Sequence, residues 1–125
     1  MLGHVSIRVL DLEASVKFYL AALSPLSYEA TRFPSVIGLG ASTNSAPIPD
    51  FWLRQYTPGP ENNHCAKPTP IHISFYVNER TQVDQFHTRG ISAGGKDNGE
   101  PGVRPFMDNY YGIWSHRICH LLLAM

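Results

Sequence analysis

The stretch HVSIRV, His4–Val9, returns 68 positions later as HISFYV, His72–Val77. Each copy is an alternating strand opened by a histidine. Val5, Ile7 and Val9 share one face and His4, Ser6 and Arg8 the other, while Ile73, Phe75 and Val77 oppose His72, Ser74 and Tyr76. The same offset then places Asp11 on Glu79 and Phe18 on Phe86. A match that runs from a strand through an acidic turn into a helical pattern points to an internal duplication of one supersecondary unit. The apolar face of each strand is expected under a helix, and the polar face toward a solvated groove or cavity.

Each strand leads into a helix. Asp11 can cap the first, and Leu12, Val16, Tyr19, Leu20 and Leu23 keep helical spacing until Pro25 stops it. Asn78 is the expected cap of the second, Val83 and Phe86 its apolar stripe, and Gly90 its left-handed C-terminal cap. After the first helix, SYEATRF, VIGLG and DFWLRQY read as strands separated by turn residues. After the second, ISAGGKDN and YYGIWSH read the same way around a loop GEPGVRP, and ICHLLLAM closes the chain as a strand or helical turn.

The expectation is an α+β fold of two β-α-β-β-β modules, about residues 2–56 and 71–125, within a single domain spanning 1–125. The segment 57–70, TPGPENNHCAKPTP, holds four prolines and a glycine and reads as a linker.

Composition narrows the partners. The 125 residues are 43% hydrophobic and 16% charged, enough for one compact core, and ten basic residues balance ten acidic ones. Binding to phosphate backbones needs a concentrated excess of Lys and Arg, so nucleic acid and an anionic membrane surface are not expected partners. No apolar run approaches the ~18 residues of a bilayer span, and no basic leader precedes an apolar segment. Cys65 and Cys119 fit neither a disulfide framework nor a zinc knuckle. Together these features lead us to expect a soluble, cytoplasmic protein with reduced thiols.

The duplicated unit with a histidine opening each copy resembles the vicinal oxygen chelate superfamily, which includes glyoxalases, bleomycin-resistance proteins and extradiol dioxygenases. PTPIHISFYVNERTQVDQFHTRGISAGGKDNGEPGVRP and the later YYG are similar to a glyoxalase-like branch, and the likeness covers about residues 2–112. The resemblance implies paired modules whose sheets form an open barrel around a cleft. It also implies a small-molecule ligand, a homodimer, and often a divalent metal such as Zn, Ni, Fe or Mn.

Family ligands lie on the first and last strands of each module, and His4 and His72 match the first-strand positions. Imidazoles suit such a metal, which as a Lewis acid would stabilise an enediolate or chelate two neighbouring substrate oxygens. The last-strand positions depart from the family. In the first module the position falls on Trp52, whose only polar group is an N–H donor, with Asp50 two residues away as a possible substitute.

In the second module relatives carry a carboxylate on the last strand, but after Gly112 this chain continues IWSHRICHLLLAM, without an acidic residue. The break is abrupt, as expected for a frameshift, an alternative exon or an erroneous gene model, and transcript sequencing that found only this frame would argue against it. His116 and His120, four apart, and Cys119 are the tail's own candidate donors.

Simpler roles stand beside these. His4 and His72 could be hydrogen-bonded cavity histidines. Trp52 could line a pocket as an aromatic wall. Arg104, Tyr110 and Tyr111 border the family's cleft region and are candidates for binding a substrate carboxylate or ring, although alternation turns one tyrosine toward the core. His64 and His87 read as surface groups, and Lys96–Gly99 as a turn. Neither G-x-S-x-G nor G-x-G-x-x-G occurs, so a hydrolase elbow and a dinucleotide fold lack support. Two functions follow: a glyoxalase- or dioxygenase-like enzyme with a metal on His4 and His72, derived from a metal-dependent lyase, isomerase or dioxygenase, or a resistance-type protein that binds a small molecule without metal or turnover.

Overall fold

The computed structural model describes residues 2–42, 48–59, 71–105, 108, 110–115 and 121–124. It divides into two compact units, Met1–Leu20 with Ser27–Thr69, and Ala21–Leu26 with Pro70–Met125.

The first unit is built on β1 (Val5–Val9), α1 (Leu12–Ala22), β2 (Tyr28–Phe33), β3 (Val36–Ala41) and β4 (Phe51–Gln55). The strands form one sheet in the order β1-β4-β3-β2, with β1 and β4 parallel and the other pairs antiparallel. The alternation expected of β1 holds: Ile7 and Val9 are buried, while His4, Ser6 and Arg8 are exposed. Phe51 and Leu53 of β4 and Ile37 and Leu39 of β3 are buried with Val16 and Tyr19 of α1, and Tyr19 meets Phe51 edge-on at 4.8 Å. One face of the sheet is therefore the core face, and the other, which carries exposed His4, Ser6 and Arg8, is the open face among the described residues.

Asp11 caps α1 as expected, its Oδ1 accepting from the Ala14 N–H at 2.9 Å. Gln55 ties the end of β4 to the same turn, accepting from the Leu12 N–H and donating to the Leu10 carbonyl. On the core face, Arg32 of β2 reaches Glu13 of α1 in a two-pronged ion pair.

The second unit repeats the plan with β5 (Ile73–Tyr76), α2 (Arg80–Ser92), β6 (Gly102–Val103), β7 (Tyr111–Ser115) and β8 (Leu121–Ala124). The sheet order is β5-β8-β7-β6, again with first and last strands parallel. Phe75, Val77, Val83, Phe86 and Ile113 are buried in this unit. The 3-10 turn Ser24–Leu26 packs beside α2, where Gln82 donates to the Pro25 carbonyl and Arg89 to the Ser24 hydroxyl.

Three local expectations are corrected here. The N-cap of α2 is Glu79 rather than Asn78, because Gln82 Oε1 folds back to accept from both the Asn78 and Glu79 N–H groups. Gly90 is an interior, buried helical residue rather than the cap. The helix runs to Ser92 with Ala93 as its C-cap, and the left-handed residue is Gly94 (φ 92°), whose N–H reaches the Ile91 carbonyl while the Gly95 N–H reaches the Gly90 carbonyl.

In consequence ISAGGKDN is not a strand. Ile91 and Ser92 complete α2, and the short β6 lies within the segment read as the loop GEPGVRP. A helix carries a single interior glycine at a cost of about 1 kcal/mol, so only the next residue able to take positive φ, Gly94, stops it. Among the described residues no helix is long and apolar enough to cross a membrane.

Candidate functional site

The open face of the first sheet gathers the aromatic residues. Alternation from buried Phe51 and Leu53 turns Trp52 and Arg54 outward. Trp52 pairs in register with Ser6 of β1 and Gly38 of β3. The missing side chain at Gly38 makes room for the indole: a Cβ there would sit 3.1 Å from Trp52 Cζ3 and 2.5 Å from Pro49 Cβ. At Gly40 a Cβ would meet the Ile48 carbonyl oxygen at the same 2.5 Å, so the Ile48–Pro49 segment runs close over both glycines. The Trp52 indole N–H donates to the Pro49 carbonyl at 3.2 Å. Phe33 stacks on the indole with centroids 5.7 Å apart, and the His4 ring meets it edge-on at 6.3 Å. His4 and Trp52, two of the residues singled out from sequence, thus come together.

Asp50, the possible substitute donor, is engaged elsewhere. Both carboxylate oxygens accept from the Tyr28 hydroxyl, at 3.0 and 2.9 Å. Burial, reinforced by the Asp50 charge and this hydrogen bond, pushes the Tyr28 phenol well above its ordinary range.

The second unit distributes its candidates differently. His72 is exposed immediately before β5, as His4 is before β1. Tyr110 is buried, and its carbonyl accepts from the Arg104 N–H at 2.7 Å. Tyr111 lies on the core-face side of β7 with Ile113. Its hydroxyl donates to Asp84 of α2 at 2.8 Å, and the Arg80 guanidinium lies 5.1 Å above its ring. The hydrogen bond to Asp84 raises the Tyr111 phenol. Arg104 spends one guanidinium nitrogen on the Glu100 carbonyl. Arg104, Tyr110 and Tyr111 are neighbours in the fold; one Arg104 nitrogen serves the loop and the Tyr111 hydroxyl serves α2, while Arg104 Nε is buried without a hydrogen-bond partner among the described residues.

A divalent metal does not fit the described residues as a donor set. In the first unit Trp52 stands opposite Ser6 and Asp50 is held by Tyr28, leaving His4. In the second, the register position opposite Ser74, equivalent to that of Trp52, belongs to Leu122, a residue type without a donor. Among the described residues no group of three or more His, Cys, Asp or Glu could hold a metal ion. His116, Cys119 and His120 lie outside the described residues.

The sequence reading missed Phe33, Arg54 and the glycine floor. The pattern W-L-R in β4 already places Trp52 and Arg54 on one face. Pairing partners two and three strands away are not visible without the register.

A family model, the glyoxalase/bleomycin resistance protein/dioxygenase superfamily, matches residues 1–113. The chain belongs to this superfamily. A glyoxalase/bleomycin resistance protein from Albidiferax ferrireducens T118 superposes with a TM-score of 0.74 at 23% identity, over 98% of this chain and 95% of that one. A glyoxalase/bleomycin resistance protein/dioxygenase family enzyme from Burkholderia phytofirmans PsJN gives 0.68 at 16% identity, over 98% and 94%. A glyoxylase/bleomycin resistance protein/dioxygenase domain from Frankia sp. EAN1pec gives 0.64 at 20%, over 100% and 96%. At these identities the likeness shows a shared fold. No curated protein matches the chain.

Proposed function

We propose that this superfamily member is a small-molecule-binding protein of the resistance type, holding a planar ligand against the open face of its first sheet. The observation that carries the reading is the fixed aromatic patch of Trp52, Phe33 and His4 over the Gly38 floor. Its indole is anchored by the Pro49 carbonyl, so little ordering remains to be done when a ligand arrives. A rigid amphipathic ring is well suited to contact a flat molecule, and stacking adds about 0.5–1.5 kcal/mol beyond area burial.

A metal-dependent lyase, isomerase or dioxygenase is the second reading. Its support is the equivalent placement of His4 and His72 before β1 and β5. A homodimer and a cytoplasmic setting belong to the proposal as well. Two cysteines without a disulfide pattern support the setting.

Calorimetric screening against a panel of planar aromatic compounds tests the first reading. Binding that falls at least tenfold in Trp52→Ala, in a variant whose circular dichroism is unchanged, is expected. Ligands that bind Trp52→Ala as well as the parent protein would sink it. Metal content by plasma mass spectrometry after loading with divalent ions and dialysis tests the second. Near-stoichiometric metal, lost in both His4→Ala and His72→Ala, would replace the binding reading with the enzyme.

A further inference from the structure

The register of the first sheet draws a straight row across its open face. Arg8 of β1 pairs with Arg54 of β4, Arg54 with Val36 of β3, and Val36 with Phe33 of β2. All four share the face of Trp52, because each lies an even number of positions from a residue paired with it. The adjoining row is Ser6, Trp52, Gly38 and Thr31. Strands stand about 4.8 Å apart, so the row passes in ~15 Å from two guanidinium-bearing residues, through an apolar one, to an aromatic ring. Arg8 and Arg54 are exposed, and Phe33 keeps 49% of its surface exposed.

Among the described acids, Glu29 pairs with Gly40 two same-face rows away, and Asp50, two residues before Trp52, accepts from the Tyr28 hydroxyl. A neutral ligand would use only the aromatic end of the row. A flat ring with an anionic substituent would use both ends.

We propose that the ligand of this face is a planar aromatic anion, in the first instance an aromatic carboxylate. Its ring lies on the Phe33–Trp52 patch and its charge lies between Arg54 and Arg8. This rests on the proposed binding function and adds the ligand's chemical class. Two residues along β4 separate Trp52 from Arg54 by about 6.8 Å. That distance is within reach of a carboxylate on a one- or two-ring system once the arginine side chain extends to meet it. The planar guanidinium receives a carboxylate in two parallel hydrogen bonds, which fixes orientation as well as charge.

The test compares 1-naphthoate with its neutral isostere 1-naphthamide by calorimetry, on the full chain at moderate salt. Naphthoate should bind about tenfold or more tightly than naphthamide, the scale of a charge-assisted hydrogen bond. Arg54→Gln should bring the two probes together, while Phe33→Leu should weaken both alike. Arg8→Gln should reduce the preference, and circular dichroism confirms that each variant is folded. Equal binding of the two probes to the parent protein overturns the anion assignment and leaves the aromatic binding face standing. Preference for naphthoate that survives in Arg54→Gln and Arg8→Gln also overturns it. No binding of either probe, with other planar compounds equally silent, overturns the binding function itself.

Discussion

The two sheets share one topology but close on very different strands. In the first, β4 runs parallel to β1 with Ser6 opposite Trp52 and Ile7 opposite Leu53. In the second, β8 runs parallel to β5 with Ser74 opposite Leu122 and Phe75 opposite Leu123. The registers correspond residue for residue. Yet β4 falls inside the stretch matched by the superfamily model, and β8 falls beyond its end at residue 113.

A central strand asks little of its sequence beyond apolar residues and free backbone groups, and LLLA meets that requirement. A ligand position asks for one particular donor at one register, and Leu122 does not meet it. The architecture of a closing strand therefore constrains its sequence less than a ligand position does.

The strongest way to break this comparison is to strike both closing strands at the corresponding place. Each lies inside its sheet, between a parallel and an antiparallel neighbour. Proline removes a ladder donor there and its ring opposes the neighbouring backbone. Leu53→Pro and Leu123→Pro are each expected to lose roughly 3 kcal/mol or more by chemical denaturation. If Leu123→Pro stays within about 0.5 kcal/mol of the parent, the range of an inconsequential surface change, β8 contributes nothing and the equivalence fails.

A second, smaller contrast separates a glycine that is needed from one that is not. At Gly38 an added methyl would press on Pro49 and Trp52, whereas at Gly102 it would meet nothing within 4 Å. Gly38→Ala should therefore cost about 1–3 kcal/mol through overpacking, with a shift in tryptophan emission as the indole moves. Gly102→Ala should fall within about 0.5 kcal/mol of the parent. Identical stabilities for the two variants would show that the indole does not rely on the Gly38 floor.

The same contrast explains what could be read from the chain beforehand. The repeat beginning at His4 and His72 carried the fold, because a strand period and a following helix period are local patterns. The strands of the first module were legible from Pro and polar turns, and so was the cap at Asp11. The failures at Asn78, Gly90 and ISAGGKDN share one cause. Several residues could serve as a helix boundary, and the competition was decided by Gln82 reaching back and by Gly94 taking positive φ. At the site, alternation located Trp52 and the position of His4. The row Arg8–Arg54–Val36–Phe33 was hidden, since it depends on the pairing of β1 and β3 with β4, strands separated by about 10 to 40 residues of chain.

The smallest expected effects lie in how the two units respond to pH, and they have opposite signs. Tyr28 has its phenol raised by burial and by Asp50, so the folded chain holds that proton more firmly than the unfolded one. Its stabilisation is complete below pH ~10, the ordinary tyrosine value, and is lost as pH climbs from there toward the elevated folded pKa. Tyr28→Phe should cost about 1 kcal/mol at neutral pH and flatten the alkaline limb of the stability curve.

Asp97 in the second unit behaves inversely. The Gly99 N–H, and then His87 at 3.2 Å, hold its carboxyl below the ordinary range. Its contribution is therefore present above pH ~4 and disappears as acid protonates it through the lowered folded pKa. Asp97→Asn should flatten only the acid limb, and by less than Tyr28→Phe flattens the alkaline one, because the carboxylate stands in solvent where water screens its partners. Denaturation midpoints of the parent and both variants from pH 3 to 11 separate the two effects. An Asp97→Asn curve that departs from the parent at high pH instead would mean that the carboxylate is acting through some group other than the Gly99 amide and His87.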